Sequence, residues 1–222
     1  MGTMRKKFKL LLIILASMVM CVNINCVSAH DQDYLSGFYS NTASPNQTNL
    51  KFRIAQSAQT NVLTSSLYEH AKDWNNKHCS SCTHIKVSEI ILPPDYVPDM
   101  SGYCWVYGKD LRSRDIGGEL IAYDANGNVT SATATWYDIE IVINNVSSYF
   151  SYNATAMQKT FVHEVGHALK LAHPSTQPSY MGHPYAGLPN AIMNQGMPDS
   201  TCVSSTITAH DISNLRAKWG GN

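Results

Sequence analysis

Hydrophobic positions along this chain follow two periods, and the changes from one to the other mark out its elements. Residues 50–55, Leu-Lys-Phe-Arg-Ile-Ala, alternate apolar and charged side chains, the two-residue period of a strand with one buried face. Leu63, Leu67, Ala71 and Trp74 recur at three- to four-residue spacing, which predicts a helix over 62–76. Strands are expected over 84–91, briefly over 104–107, and over 118–123. The stretch after Leu92, with Pro93, Pro94 and Pro98, reads as irregular. Ile139, Ile141 and Ile143 alternate with Glu140, Val142 and Asn144, the mark of a half-buried strand.

A helix follows from Asn153 or Thr155, either of which can cap it. With Phe161 at zero on its wheel, Met157, Val165 and Ala168 lie within about 40°, while His163 and His167 fall near 200° and 240°. One face packs and the other is left for chemistry. Residues 174–206 are rich in Pro, Gly, Ser, Asn and Met without a long period, so a loop-built region is expected. A last helix spans 209–218, with Ile212, Leu215 and Trp219 as its stripe, Thr208 and Asp211 as a capping box, and Gly220 as its stop.

Composition adds compartment and size. With 222 residues and 44% hydrophobic content, the chain can bury one sizeable core. Arg5, Lys6, Lys7 and Lys9 precede an apolar run over 10–22, and Val27-Ser28-Ala29 offers a cleavage site, so 1–29 reads as a signal peptide and the protein as secreted. A lipid anchor on Cys21 or Cys26 is the weaker reading. Residues 30–222 form a single expected domain, its upper part about 48–173 and its lower part about 174–222. Without 1–29 the chain keeps 12 Lys plus Arg against 16 Asp plus Glu, a net charge of −4. No basic stripe for nucleic acid remains, and no later apolar run is long enough for a transmembrane span.

Four cysteines follow the leader, Cys79, Cys82, Cys104 and Cys202, and an even number in an exported chain predicts disulfides, with three pairings open. The single C-x-x-C at 79–82 lacks a second pair for a zinc site. Asp124-Ala125-Asn126-Gly127-Asn128 alternates oxygen side chains, but Val129 and Thr135 stand where a calcium-binding EF-hand loop needs Gly and Glu. Asn126-Gly127 therefore predicts a tight hairpin turn.

The chemistry lies in residues 163–173, His-Glu-Val-Gly-His-Ala-Leu-Lys-Leu-Ala-His. Two histidines four apart on a helix can reach one ion, and Glu164 is placed to take a proton from an attacking water and return it to a leaving amine. No glutamate follows Glu164, so a third ligand must come from His173, His183, His210, Asp199 or Asp211. If the helix ran on, His173 would lie about 9 Å further along the axis and some 240° round from His167. A sharp turn after Leu169 is needed to bring it back, and Pro174 blocks continued helix. His210 and Asp211 are accounted for by the start of the last helix.

With that turn, the stretch resembles H-E-x-x-H-x-x-G-x-x-H, the signature of the metzincin clan of zinc peptidases. Lys170 stands at the glycine position, where positive φ costs a residue with a β-carbon about 1–2 kcal/mol. The resemblance implies His163, His167 and His173 as zinc ligands, Glu164 as general base, and Met193 of Ala191-Ile192-Met193-Asn194 as the residue of the turn beneath the metal. His183 is the substitute should His173 fail. Gln195 stands where some metzincins carry a tyrosine ligand, so no tyrosine switch is expected. No cysteine lies between 30 and 49, which argues against a cysteine switch; that segment is either kept or trimmed.

By the same resemblance, loosely matrixin-like over 48–220, the fold is α+β: a twisted mixed sheet of about five strands, two helices including the active-site helix, and a small irregular C-terminal subdomain carrying one helix. The activity implied is that of a zinc-dependent endopeptidase acting on an extended peptide or protein laid along an edge strand, with 118–123 the choice for that edge. A Ca2+ site is compatible with the clan, although no motif here specifies one. A catalytically inactive zinc-binding module and a zinc hydrolase of non-peptide amides are the alternatives. Retention of Glu164 argues against the first.

Overall fold

A computed structural model of the protein describes residues 35–40, 46–58, 68–75, 77, 85–91, 102–112, 117–145, 153–174, 190–196 and 203–220. The chain divides into two units, Met1–Asp31 and Gln32–Asn222, and every described residue belongs to the second. The strands are β1 (Leu50–Ile54), β2 (Val87–Ile91), β3 (Cys104–Lys109), β4 (Gly118–Tyr123) and β5 (Asp138–Asn144), joined in the order β2-β1-β3-β5-β4. All neighbours run parallel except β4, which pairs antiparallel with β5 and forms an edge. Helix α1 is Ala154–Ala168 and helix α2 is Ala209–Trp219. This mixed five-stranded sheet with two helices is the α+β arrangement that the metzincin resemblance implies. Among the described residues no helix is long and apolar enough to cross a membrane.

Alternation in sequence becomes alternation in burial. Leu50, Phe52 and Ile54 of β1 are buried while Lys51 and Arg53 are only partly covered. Ile139, Ile141 and Ile143 are fully buried, as their spacing predicts, but so are Val142 and, almost completely, Asn144. β5 lies inside the sheet between β3 and β4, and its C-terminal end is covered on both faces, so the half-buried reading holds only for its first residues. β3 continues to Lys109 because its pairing with β5 runs on to Asn144. The strand expected over 84–91 begins at Val87.

Of the helix expected over 62–76, Tyr68 and Glu69 are helical and lead into a 3-10 turn at His70–Trp74, with Ala71 and Trp74 buried as predicted. Leu63 and Leu67 lie outside the described residues. The Asn75 side chain accepts from the Val87 N–H at 2.7 Å and donates to the Val87 carbonyl at 2.9 Å, which pins this turn to β2. The predicted hairpin forms at 124–128: the Asp124 carboxylate accepts the N–H groups of Asn126 and Asn128, and Gly127 takes φ 76°.

Cys104 corrects the disulfide expectation, since it is a free thiol. It opens an interior strand opposite Phe52, fully buried, and burial pushes its thiol pKa well up. Cys79, Cys82 and Cys202 lie outside the described residues, as do His183 and most of the loop region over 174–206.

Helix α1 packs through the predicted face. Met157, Phe161, Val165 and Ala168 are fully buried, and the Phe161 ring meets Phe52 and Tyr68 edge-on with centroids 5.7 and 4.8 Å apart. Trp74 Nε1 donates to the Val162 carbonyl at 3.0 Å. The opposite face is covered as well, by the turn at 190–196, and there the site lies.

Candidate metal centre

Asn153 starts α1, its side chain accepting the Ala156 N–H at 3.0 Å. Four residues apart on the resulting helix, His163 and His167 each use Nδ1 to donate to a backbone carbonyl, Ile192 at 2.8 Å and Leu171 at 2.9 Å. A neutral imidazole that donates through Nδ1 keeps its lone pair on Nε2. Both Nε2 atoms lie 3.0 Å from Nε2 of His173. Tetrahedral nitrogen ligands at about 2.0–2.1 Å from one ion would stand about 3.3 Å apart, so the three nitrogens are close to the spacing zinc requires. Among the described residues, these three histidines are the group that could hold a metal.

His173 reaches this point because α1 stops. The Lys170 N–H donates to the His167 carbonyl at 2.8 Å and the Leu171 N–H to the Gly166 carbonyl at 3.0 Å, the paired closure that ends many helices in a left-handed residue. That residue is Lys170, with φ 65°, as the turn in the motif demands. The carbonyls that follow find distant donors: Tyr39 Oη on Ala168 at 2.8 Å, Trp219 Nε1 on Leu169 at 2.7 Å, and the Leu35 N–H on Lys170 at 2.7 Å. Every carbonyl from Val165 to Leu171 thereby accepts a hydrogen bond, which a buried helix end requires.

Electrostatics keep the imidazoles neutral. Burial pushes His167 down to about 4, Lys159 adding to this and the Leu171 carbonyl opposing it, and pushes His173 down to about 3 with help from His167 and Lys159. His163 is held well below the usual histidine range by burial first, then by Lys159 and the other two rings. Lone pairs are therefore available at neutral pH without competition from protons.

Glu164 is 4% exposed, and its Oε2 has no hydrogen-bond partner among the described residues. Burial raises its pKa to about 8, Glu119 adding to the rise and Lys159 opposing it. A buried carboxyl oxygen without a partner is costly, and such groups concentrate where a ligand or reactant is to be met. β4 runs past it: a β-carbon on Gly118 would lie 3.2 Å from Glu164 Cγ and 3.0 Å from Thr160 Cγ2. The edge strand expected to receive a peptide thus starts against the candidate base.

Met193, the other motif residue, is 3% exposed, and its sulfur occupies the space where a β-carbon on Gly166 would sit. Sequence reasoning missed two groups that hold this turn. Lys159, one turn before His163, is buried; its ammonium donates to the Asn194 carbonyl at 2.8 Å and lies 3.4 Å from His163 Nδ1. Its spacing of four from His163 on the ligand face was the available signal. Asp211, read as a cap, does more. Besides closing the capping box with Thr208, its carboxylate accepts the N–H of Ile192 at 3.0 Å and of Met193 at 3.3 Å. It thereby fixes the segment whose Ile192 carbonyl orients His163.

No family model matches the chain, and no curated protein matches it. Among solved structures, a crystal structure of myroilysin superposes with TM-score 0.42 and 13% identity over 87% of this chain and 93% of that one. A second structure of myroilysin gives 0.39 and 12% over 84% and 92%. Overlaps this loose assign no residue and no activity.

Proposed function

We propose that this chain is a secreted zinc-dependent endopeptidase in which His163, His167 and His173 hold the ion and Glu164 is the general base. The convergence of three lone-pair Nε2 atoms carries this reading, with the partnerless carboxyl oxygen of Glu164 on the same helix. A bound zinc ion would supply Lewis acidity, polarising a substrate carbonyl and making water more acidic. The chain's own residues do the rest. Ile192 and Leu171 orient two ligands through their Nδ1 hydrogens, an outer layer that holds the rings in position. Glu164 holds a proton near neutral pH without metal, and the charge of a bound cation would favour its ionised form; as a carboxylate it takes the proton from the attacking water at its free oxygen and returns it to the leaving amine. The outer edge of β4 over 118–121, ahead of the Ala122 carbonyl that already accepts the Thr130 N–H, offers backbone donors and acceptors to an extended peptide beside Glu164.

Purified protein incubated with casein and a mixed peptide library should cleave them, stop on addition of a chelator, and recover with zinc. Glu164→Ala should retain the metal and lose turnover. Zinc-loaded protein that cleaves no peptide would overturn the reading, and cleavage of small amides alone would favour the non-peptide hydrolase.

A further inference from the structure

Lys170 is fully buried, although a lysine is among the side chains least often found there. If the turn needed only a left-handed residue, glycine would meet the requirement without strain and without placing an ammonium in the interior. The side chain must therefore supply something the backbone does not. Its Nζ donates to the carbonyls of Ala134 at 2.9 Å and Ala132 at 3.3 Å, and lies 3.1 Å from the centroid of the Trp136 ring. Two carbonyls and an aromatic face give the buried amino group its partners, while burial and then the nearby Lys218 lower its pKa to about 7.

Trp136 is itself held. Its indole donates to the Ser131 carbonyl at 3.0 Å, its backbone exchanges hydrogen bonds with Phe38 and Ser40, and its ring packs edge-on against Tyr39. Tyr39 closes the circuit by donating to Ala168, two residues before Lys170. The lysine thus clasps the end of α1 to the 131–136 loop, and through it to residues 35–40. The next carbonyl along, Leu171, orients His167, and two residues further the chain delivers His173. A free exit from the helix would let both move.

We propose that Lys170 is a positioning residue for the third histidine, replacing the conformational permission of glycine with a side-chain clasp that sets the direction of the chain from α1 to His173. This rests on the metal-site reading. Residues 35–40 belong to the same device, so trimming that removes them would loosen the site.

The test uses the full chain with Lys170→Met, which keeps the aliphatic stem, and Lys170→Gly, which keeps the positive φ. Zinc affinity is measured by chelator competition, and coordination by the visible absorption of the protein loaded with Co2+ alone. Tyr68→Phe, which removes the buried hydrogen bond to the Ala58 carbonyl, outside the clasp, and keeps the ring that packs on Phe161, is the control for general destabilisation. Both Lys170 variants should bind zinc about 10- to 100-fold more weakly and show altered Co2+ bands, while Tyr68→Phe changes neither. Wild-type affinity and an unchanged Co2+ spectrum in Lys170→Met would overturn the proposal, whether or not Lys170→Gly folds. A wild-type chain that binds no metal would instead overturn the metal-site reading, and this inference with it.

Discussion

The sulfur of Met193 lies against Gly166 where a β-carbon would have to stand, so the glycine between the two helical histidines is kept open for a methionine from the turn below. Trp74 closes the other side, with Cζ2 3.1 Å from the same point. Gly166→Ala should therefore destabilise the protein despite alanine's better helix propensity. Overpacking of this kind costs about 1–3 kcal/mol, and in a chain of this size each kcal/mol lowers the melting temperature by about 2–4 °C. Thermal unfolding followed by circular dichroism checks it; an unchanged or raised melting temperature would mean that Met193 moves aside freely.

Asp211 joins α2 to the turn that carries Met193. Its carboxylate accepts the N–H groups of Ile192, Met193 and Thr208 and the Thr208 hydroxyl. Asp211→Ala leaves those buried donors unmatched and should cost about 3 kcal/mol in urea unfolding. Because the Ile192 carbonyl orients His163, zinc affinity should fall about tenfold as well. A loss of stability with no change in affinity would limit Asp211 to capping.

Glu164 gives the metal-free protein a distinctive pH dependence. Its carboxyl titrates near 8 when folded, against 4.5 for an unburied glutamate. Between those values the folded protein keeps a proton that the unfolded chain has lost, so this group's contribution to stability falls as pH rises through the window, at about 1.4 kcal/mol per pKa unit. His167 and His173 work in the opposite sense: neutral when folded, they lose stability as pH falls below 6.5 toward about 4 and about 3. Comparing metal-free wild type with Glu164→Gln by urea unfolding from pH 4.5 to 8 isolates the first effect. The wild type should lose ground steadily to the variant, and parallel curves would place the Glu164 pKa in the ordinary range.

Cys104 should resist thiol reagents in the native protein and react on unfolding, because its sulfur is fully buried and its pKa is pushed well above the ordinary value. Peptide mapping after alkylation under native and denaturing conditions distinguishes it from Cys79, Cys82 and Cys202. Labelling at native rates comparable to an exposed cysteine would contradict its placement in β3.

Local patterns predict the elements of this chain where burial follows a period. The pattern predicts β4 over its observed residues and α2 to within a residue, and it offers Thr208 as the cap of α2 and Asn153, beside Thr155, as the cap of α1. It fails where neighbours in space override the local pattern. The half-buried period of β5 breaks at Val142 because the C-terminal end of this interior strand is covered on both faces, and the turn at His70–Trp74 is tightened where Asn75 is tied to β2. An even number of cysteines predicts a disulfide at Cys104, but parity says nothing about depth, and this thiol is free in the interior.

The sequence by itself placed His163, Glu164 and His167 together on one helix, because helix spacing is a local property of a short stretch, and through the metzincin resemblance it pointed to His173 and to a left-handed turn at Lys170, where the structure brings the three histidines together. The tertiary structure alone decided what holds that stretch in place. Tyr39 caps a carbonyl 129 residues away, Trp219 the next one, and Asp211 and Lys159 secure the turn from two different helices. Such partners leave no periodic trace. They are selected by the unmatched donors and acceptors at the buried end of a helix, and these become neighbours only when the chain folds.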